Sequence, residues 1–205
     1  MDNAPSHRSL PVVPPVPPSV PRGRSTAFGR WLGRCILRLG GWRVAGPLPD
    51  LRKAVVIAAP HSSNWDGIWG LAAKLALGVE ARILGKDKLF WWPLGAVLRS
   101  FGVVPLDRSS PQGTVGQAVA MIRDNERIWF ALAPEGTRKP VKDWKTGFIR
   151  IARMAQVPIV PAYFHYPEKI IGFGPPFHTS GDDAADMAAI RQWYRPWRGR
   201  NRGTG

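Results

Sequence analysis

Cysteine, acidic residues and long apolar runs are all scarce in this sequence of 205 residues. The single cysteine, Cys35, excludes an internal disulfide framework and any zinc site built from several cysteines. No apolar run approaches the roughly 18 residues that a membrane-spanning helix needs. The first residues also lack the apolar core of a signal peptide. These absences predict a protein of a reducing, cytoplasmic compartment that has no membrane-spanning segment.

The shortage of acidic residues leaves the chain with a large positive charge. Lysine and arginine number 29 against 14 aspartates and glutamates, which gives a formal net charge of +15. Such a charge favours polyanionic partners, among them nucleic acid, an anionic membrane surface and phosphorylated substrates. Hydrophobic residues make up 44% of the chain, which is enough apolar material for one globular core. Charge alone does not choose between these partners.

Composition divides the chain into four parts. Residues 1–25 are rich in proline, which fixes φ and lacks an N–H group, so we predict a disordered or polyproline-II tail. Residues 26–45 are predicted to form a basic amphipathic helix, and residues 46–190 the main domain. A last helix is expected to start around residues 183–186. Residues 191–205 contain five arginines and no acidic residue, which predicts a frayed basic tail.

The basic helix carries Arg30, Arg34 and Arg38 at every fourth position, beside an apolar face. The pair Gly40-Gly41 is expected to end it. A helix of this kind can lie in a membrane interface, with its apolar side down and its arginines at the lipid phosphates. The alternative is a terminal helix that packs on the core and exposes its arginines to water. The pattern favours neither of the two.

Short apolar runs alternate with helical patterns through the main domain. The predicted strands lie at 54–59, 81–85, 102–106, 127–133, 159–164 and 169–173, and the predicted helices at 66–77, 92–101, 114–125 and 147–156. Strands that alternate with helices are typical of a parallel sheet. We therefore predict a single α/β domain with a largely parallel central sheet flanked by helices, preceded by the amphipathic N-terminal helix.

Two polar clusters follow predicted strands, where sites gather in open α/β sheets. The first, residues 60–66, contains His61 and Asp66, and a strand–turn–helix corner can bring this pair within hydrogen-bonding distance. Asp66 would then fix the imidazole tautomer, and His61 could act as a general base. The spacing also fits a plainer alternative, in which Asp66 caps the helix and His61 has no role.

The second cluster, residues 133–138, ends in Glu135-Gly136-Thr137-Arg138. Arg138 offers a planar fork for phosphate oxygens, Gly136 allows close backbone approach, and Thr137 adds a hydroxyl. Glu135 could orient Arg138 or accept a hydrogen bond from a substrate hydroxyl. A polar turn with a surface ion pair explains the same residues equally well.

Together and in this order, these clusters resemble the motifs of the glycerolipid acyltransferase family, which includes lysophosphatidate acyltransferases. His61 and Asp66 match the His-x4-Asp block of that family, and Glu135 to Arg138 match its Glu-Gly-Thr-Arg block in full. Two further stretches are similar to its other blocks: residues 86–95 with 102–108, and residues 157–161. The chain departs from many relatives in having Pro60 before the histidine, Lys139 after the arginine, and no spanning helices. The resemblance covers about residues 54–165.

The resemblance implies direct acyl transfer to a hydroxyl of a lysophospholipid or glycerol-phosphate acceptor from an acyl thioester, either acyl-CoA or acyl carrier protein. It implies that His61 is the general base and that Asp66 orients it, with no metal and no resident cofactor. Backbone N–H groups at the start of the predicted helix over 66–77 are then candidate oxyanion donors. The acceptor phosphate would be bound by the block from Glu135 to Arg138. Lys86 and Arg108 are second candidates for phosphate binding, although ion pairs or solvated surface explain them equally well.

The bulky segment Leu89 to Leu94 could line an acyl-chain groove, enter the membrane interface or pack in the core. The adjacent rings of Trp91 and Trp92 cannot share one helix face, so at least one should lie outside the core. Because the chain carries a basic helix and basic ends, we expect a peripheral protein on the cytoplasmic face of an anionic membrane.

Two other functions fit parts of the sequence. A non-enzymatic basic protein that binds membrane or nucleic acid would explain the charge but not the polar clusters. No nucleic-acid-binding motif is visible, so nucleic acid is not an expected partner. An acyl-thioester hydrolase would use the same histidine, with water in place of the lipid hydroxyl.

Overall fold

The structure is a computed structural model that describes residues 12–23, 26–85, 87–105, 113–201 and 203. Within these ranges the chain forms a seven-stranded sheet of β1 (Arg43–Ala45), β2 (Lys53–Ala59), β3 (Ala81–Gly85), β4 (Val103–Pro105), β5 (Ile128–Leu132), β6 (Ile159–His165) and β7 (Ile170–Phe173). The helices are α1 (Ala27–Gly40), α2 (Asn64–Leu77), α3 (Leu94–Ser100), α4 (Gly113–Arg123), α5 (Gly147–Ala155) and α6 (Asp183–Tyr194). A short 3₁₀ turn spans Asp87–Leu89.

The spatial order of the strands is β1-β7-β6-β2-β5-β3-β4. Neighbouring strands run parallel except β6 and β7, which form an antiparallel pair. The predicted α/β fold with a largely parallel sheet is therefore confirmed. The strand that the sequence did not predict is β1, whose three residues are too few for a periodic pattern to be recognised.

Helices cover both faces of the sheet, and the central strand β2 shows why. Ala54 and Val56 pack into one core, with α1 and α2, while Val55, Ile57 and Ala59 pack into the other, with α4, α5 and α6. A strand buried on both faces reads as a continuous apolar run, which is how its sequence AVVIAA could be recognised. None of the helices in the described ranges is both long and apolar enough to cross a membrane.

The two helices on the first face approach each other closely at Gly33 of α1. A Cβ atom placed there would lie 2.6 Å from the backbone nitrogen of Ala76 and 2.7 Å from the carbonyl oxygen of Ala72. Any larger residue would force α1 away from α2. One side of α1 is therefore packed against the domain, with Leu37 fully buried, while its other side faces outward.

Of residues 1–25, predicted to be a disordered or polyproline-II tail, the structure describes residues 12–23, and these pack along the first core. Residues 1–11 and 24–25 lie outside the described residues. The valines of this segment, Val12, Val13, Val16 and Val20, contact that core, and Val20 is completely buried. Proline lacks a donor but keeps its carbonyl, and the carbonyl oxygen of Pro21 accepts from the Glu80 N–H at 2.8 Å. Buried valine side chains and carbonyl acceptors thus hold the segment on the domain, although its prolines have no N–H group to donate.

Candidate active site

The two polar clusters lie side by side at one edge of the sheet. Residues 60–63 follow β2 and residues 133–138 follow β5, and these two strands are parallel neighbours. Because parallel strands end at the same edge, both loops emerge beyond the carboxyl ends of the sheet. The α2 helix then begins directly after Ser63, so the first cluster is a strand–turn–helix corner as expected.

His61 and Asp66 meet in this corner. The His61 Nδ1 atom lies 3.2 Å from Oδ2 of Asp66, and 26% of the histidine side chain is exposed, whereas the aspartate side chain is fully buried. A carboxylate at Nδ1 favours the tautomer whose proton is on that nitrogen and leaves Nε2 as the basic atom. The pair therefore has the geometry of an oriented general base whose ring is partly exposed to solvent.

The Asp66 carboxylate also builds the loop that carries the histidine. The backbone N–H groups of Ser62 and Ser63 both donate to Oδ2 at 2.8 Å, and the Tyr166 hydroxyl donates to Oδ1 at 2.5 Å. Ser63 and Asp66 form a capping box at the start of α2. The sequence left open whether Asp66 caps the helix or orients His61. In the structure the Asp66 side chain makes both kinds of contact.

Two of the backbone N–H groups at the start of this helix, where oxyanion donors were expected, form hydrogen bonds within the protein. The Trp65 N–H donates to Oγ of Ser63 at 3.2 Å, and the Asp66 N–H donates to the carbonyl of Ser63 at 3.4 Å. Just before the helix, the N–H groups of Ser62 and Ser63 are bonded to Asp66 in the same way.

Tyr166 is a site residue that the sequence did not identify. It follows β6, the other parallel neighbour of β2, and so arrives at the same edge of the sheet. Burial, and then its hydrogen bond to Asp66, raise the pKa of Tyr166 well above the usual range for tyrosine. The phenol therefore stays protonated and acts as a donor to the carboxylate. A polar residue directly after a third central strand was the available signal.

Glu135, in the second loop, is hydrogen-bonded to the first loop. Its carboxylate oxygens lie 3.1 and 3.3 Å from the backbone nitrogen of His61, and the residue is only 2% exposed. The expectation of a polar surface turn is wrong for this residue, because Glu135 is buried. Its carboxylate lies against the backbone of the loop that carries His61.

The rest of the second cluster is more open. Gly136 adopts a left-handed φ of 65°, and a Cβ there would lie 2.9 Å from Cε of Lys145. The hydroxyl of Thr137 accepts from the Lys139 N–H at 3.2 Å, which fixes the turn. Arg138 is exposed. Lys145, which the sequence analysis did not single out, thus brings a cation against the loop just before α5 begins.

Lys86 and Arg108, the second candidates for phosphate binding, lie outside the residues that the structure describes. In the neighbouring bulky segment, Trp91 and Trp92 are both exposed, Trp92 by 86%. The backbone of Phe90 lies close to α3, since a Cβ at Gly95 would lie 2.6 Å from its carbonyl oxygen. The expectation that at least one of the two tryptophans lies outside the core is confirmed.

The C-terminal residues reach the first loop, where the sequence predicted a frayed tail. Asn201 donates from its side-chain nitrogen to the Ser62 carbonyl at 2.8 Å and from its backbone N–H to the Ser62 hydroxyl at 3.2 Å. The Arg200 guanidinium lies over the Trp65 ring, 5.6 Å from its centroid. The basic end of the chain is thus part of the site's surroundings.

No group of three or more histidine, cysteine, aspartate or glutamate side chains within the described parts of the chain is arranged to hold a metal ion.

A family model described as Acyltransferase matches residues 43–165. This region contains both polar clusters and ends one residue before Tyr166. It therefore includes His61, Asp66 and the loop from Glu135 to Arg138, and excludes the N-terminal helix and the C-terminal residues.

Two curated relatives are similar to the chain over its central part. One is the 1-acyl-sn-glycerol-3-phosphate acyltransferase beta of Homo sapiens, 34% identical over 136 residues, which are 63% of this chain and 48% of the relative. The other is the 1-acyl-sn-glycerol-3-phosphate acyltransferase of Bacillus subtilis, 28% identical over 116 residues, 55% of this chain and 56% of the relative. The chain spans about half the length of the curated relatives it matches.

A solved structure has the same fold. The 1-acyl-sn-glycerophosphate acyltransferase PlsC of Thermotoga maritima superposes with a TM-score of 0.58 at 18% identity, covering 81% of this chain and 76% of its own. This likeness extends beyond the matched region of the sequence and supports the assignment of the sheet and its flanking helices.

Proposed function

The chain belongs to the Acyltransferase family, and from that membership we propose that it transfers an acyl group from an acyl thioester to a hydroxyl of a glycerolipid acceptor. The acceptor class is a 1-acyl-glycerol 3-phosphate or a related lysophospholipid, as in the names of its relatives. One observation carries the proposal: the 3.2 Å contact between His61 Nδ1 and Asp66 at the carboxyl edge of a parallel sheet.

His61 acts as the general base of this reaction. Its Nε2 atom takes the proton from the acceptor hydroxyl as that oxygen attacks the thioester carbonyl carbon. A new C–O ester bond forms, the C–S bond breaks, and the proton on His61 passes to the departing thiolate. A thioester is already activated, so the protein's main contribution is to align the hydroxyl with the carbonyl.

Asp66 and Glu135 act as positioning residues. Asp66 holds the imidazole at Nδ1 and compensates the positive charge that forms on the ring during proton transfer. Glu135 holds the backbone nitrogen of His61. The ring and its backbone are thus fixed by two carboxylates from different loops, which supports a single orientation of Nε2.

Arg138 is the proposed ligand of the acceptor phosphate. It is exposed at the end of a turn that Gly136 and Thr137 shape, and its guanidinium can bind two phosphate oxygens at once. Lys145 adds a second cation beside Gly136. The acyl donor is acyl-CoA or acyl carrier protein, and Lys86 and Arg108 remain candidates for its phosphates.

The outer side of α1 is the proposed membrane-contacting surface. Phe28, Trp31 and Leu39 project from it, with Trp31 exposed by 57% and Leu39 by 90%. Arg34 and Arg38 are exposed on the same helix. Apolar and aromatic side chains beside arginines suit the boundary between acyl chains and anionic headgroups. The two earlier alternatives for this helix thus combine, since one side packs on α2 and the other is available to lipid.

The test is an acceptor panel with acyl-CoA and acyl carrier protein as donors, read by free-thiol release and by mass spectrometry of the lipid product. We expect a diacyl product from a phosphate-bearing lysolipid, and a loss of about a hundredfold to ten-thousandfold in turnover for His61→Ala. Thiol release that needs no acceptor would identify a hydrolase instead. Full activity of His61→Ala would remove the proposed base.

A further inference from the structure

The chain after α6 returns to the carboxyl edge of the sheet, where it is held by several contacts. Tyr194, at the end of α6, is fully buried, and its hydroxyl lies 2.7 Å from the carbonyl oxygen of Ile57 and 2.9 Å from that of Ala162. Trp197 stacks on Tyr163 with the ring centroids 3.7 Å apart. These anchors lead the next residues toward the end of β6.

A backbone pairing then carries the segment past β6. The Tyr166 N–H donates to the carbonyl of Arg198 at 2.9 Å, and the Arg198 N–H donates to Nδ1 of His165 at 3.2 Å. Asn201 next makes its two hydrogen bonds to Ser62, the residue that follows His61. Residues 197–201, which we name the C-terminal strap, therefore contact the catalytic loop itself.

Arg200 of the strap brings a cation to the edge of this loop. Its guanidinium lies over the ring of Trp65, in the first turn of α2. Its charge also reaches the phenol that bonds Asp66, since Arg200 opposes the rise in the pKa of Tyr166. Stacking on an aromatic face restrains the planar guanidinium, so less of its freedom is lost when it binds an anion.

The strand order places this cation opposite Arg138. Strands β6, β2 and β5 are consecutive in the sheet. Arg200 lies with Tyr166 beyond β6, His61 lies beyond β2, and Arg138 lies beyond β5. Two exposed arginines thus flank the catalytic histidine from its two sides. The carboxylates of Asp66 and Glu135 beside His61 are buried, and the exposed carboxylate of Glu168 faces Nε2 of His165 at 4.0 Å.

We propose that Arg200 is a substrate-binding residue that takes a phosphate group on the β6 side of His61. The ligand chemistry is a phosphate ester, supplied either by the glycerolipid acceptor or by the carrier of the acyl donor. The identity of these ligands rests on the proposed function. The position of the Arg200 guanidinium does not rest on it, because that position follows from the contacts of the strap with Ser62 and Trp65.

The experiment measures binding directly, so that it does not depend on turnover. Short-chain lysophosphatidate and coenzyme A are each titrated calorimetrically into the wild-type protein, Arg200→Ala, Arg200→Lys and Arg195→Ala. Arg195, an exposed arginine at the end of α6, is the matched control for loss of one charge. We expect Arg200→Ala to weaken binding of at least one phosphate probe by about tenfold or more, because a charged hydrogen bond is lost. Arg200→Lys should recover part of it, and Arg195→Ala should resemble the wild type.

The matching monoacylglycerol, which lacks the phosphate, separates recognition from structure. Its binding should be unchanged in Arg200→Ala. The proposal is overturned if Arg200→Ala and Arg195→Ala bind alike, if the wild type binds neither phosphate probe, or if the monoacylglycerol is weakened as much as lysophosphatidate. The proposed function fails separately, when no acceptor supports His61-dependent thiol release while phosphate binding still depends on Arg200.

Discussion

The Tyr166 hydroxyl donates a 2.5 Å hydrogen bond to Oδ1 of Asp66, a residue 100 positions earlier in the chain. The other carboxylate oxygen, Oδ2, faces His61 and the N–H groups of Ser62 and Ser63. Each oxygen therefore has its own set of partners. The hydrogen bond from Tyr166 restrains rotation of the Asp66 carboxylate. Tyr166 thereby helps to hold the His61 ring in place, although it does not bond to His61.

Removal of this hydroxyl should slow the reaction without unfolding the protein. Tyr166→Phe deletes a hydrogen bond to a buried charged group, worth about 1.5–3 kcal/mol, and we expect kcat to fall about tenfold with little change in KM. Tyr163→Phe is the control, since that ring stacks on Trp197 rather than bonding Asp66. Equal kcat values for the two variants would contradict a positioning role for Tyr166.

Glu135 should matter to stability as well as to activity. Glu135→Ala leaves the His61 N–H without its acceptor, and we expect the free energy of unfolding to fall by about 1.5–3 kcal/mol. Glu135→Gln keeps the size and one acceptor oxygen, so its loss should be smaller. Denaturant unfolding measures both. If Glu135→Ala is as stable as the wild type, the carboxylate does not hold the loop.

Arg138 should act on binding rather than on chemistry. We expect Arg138→Ala to raise KM for a phosphate-bearing acceptor about tenfold, with kcat little changed, because a phosphate contact is present in both the ground state and the transition state. Steady-state kinetics with lysophosphatidate measures this. The charge-matched control is Arg195→Ala. An unaltered KM in Arg138→Ala would show that the phosphate is bound elsewhere.

The tyrosines predict how stability depends on alkaline pH. The chain has three, Tyr163, Tyr166 and Tyr194, and burial is the largest cause that raises the pKa of each. The unfolded chain loses these protons near the ordinary value of 10.0, before the folded protein does. Their contribution to stability is therefore complete below about pH 10 and is lost as the pH rises further.

Two measurements check this alkaline behaviour. The tyrosinate absorbance of the folded protein should rise only well above pH 10, and the denaturant midpoint should fall as the pH rises above about 10. A folded protein whose tyrosines titrate near pH 10 would contradict the prediction.

The outer side of α1 should govern binding to lipid. We expect the double variant Trp31→Gln with Leu39→Gln to bind phosphatidylglycerol vesicles at least about tenfold more weakly, because each buried apolar side chain contributes about 1.5–3 kcal/mol. Met154→Gln, an exposed apolar residue on α5, is the control. Cosedimentation measures both. Binding that is the same in the double variant and in Met154→Gln would exclude α1 as the membrane-contacting surface.

Local patterns were enough to predict the central strands, the helices and the loop that contains His61 and Asp66. The apolar run of β2 and the polar residues that follow it are neighbours in sequence, so their arrangement depends on one strand–turn–helix corner. Tyr166 and Asn201 could not be found in this way. Their partners lie 100 and 139 positions away, and only the order of the strands brings them together.

The contacts of the described residues near the two ends of the chain were missed for a related reason. Composition alone describes residues 12–23 as proline-rich and the C-terminal residues as basic, and both descriptions favour a free tail. What orders them is a surface elsewhere in the fold: the first core for Val20, and the ring of Tyr163 for Trp197. No local pattern in a single sequence indicates which distant surface a terminal segment will pack against.

The close contact at Gly33 fixes the distance between the exposed side of α1 and the first turn of α2. The helix α1 cannot move toward α2 without a clash, or away from it without losing that backbone contact. Should α1 rest in the headgroup layer, His61 would stand at a fixed distance from the bilayer midplane. The acceptors that the protein can use would then be those whose free hydroxyl reaches that level.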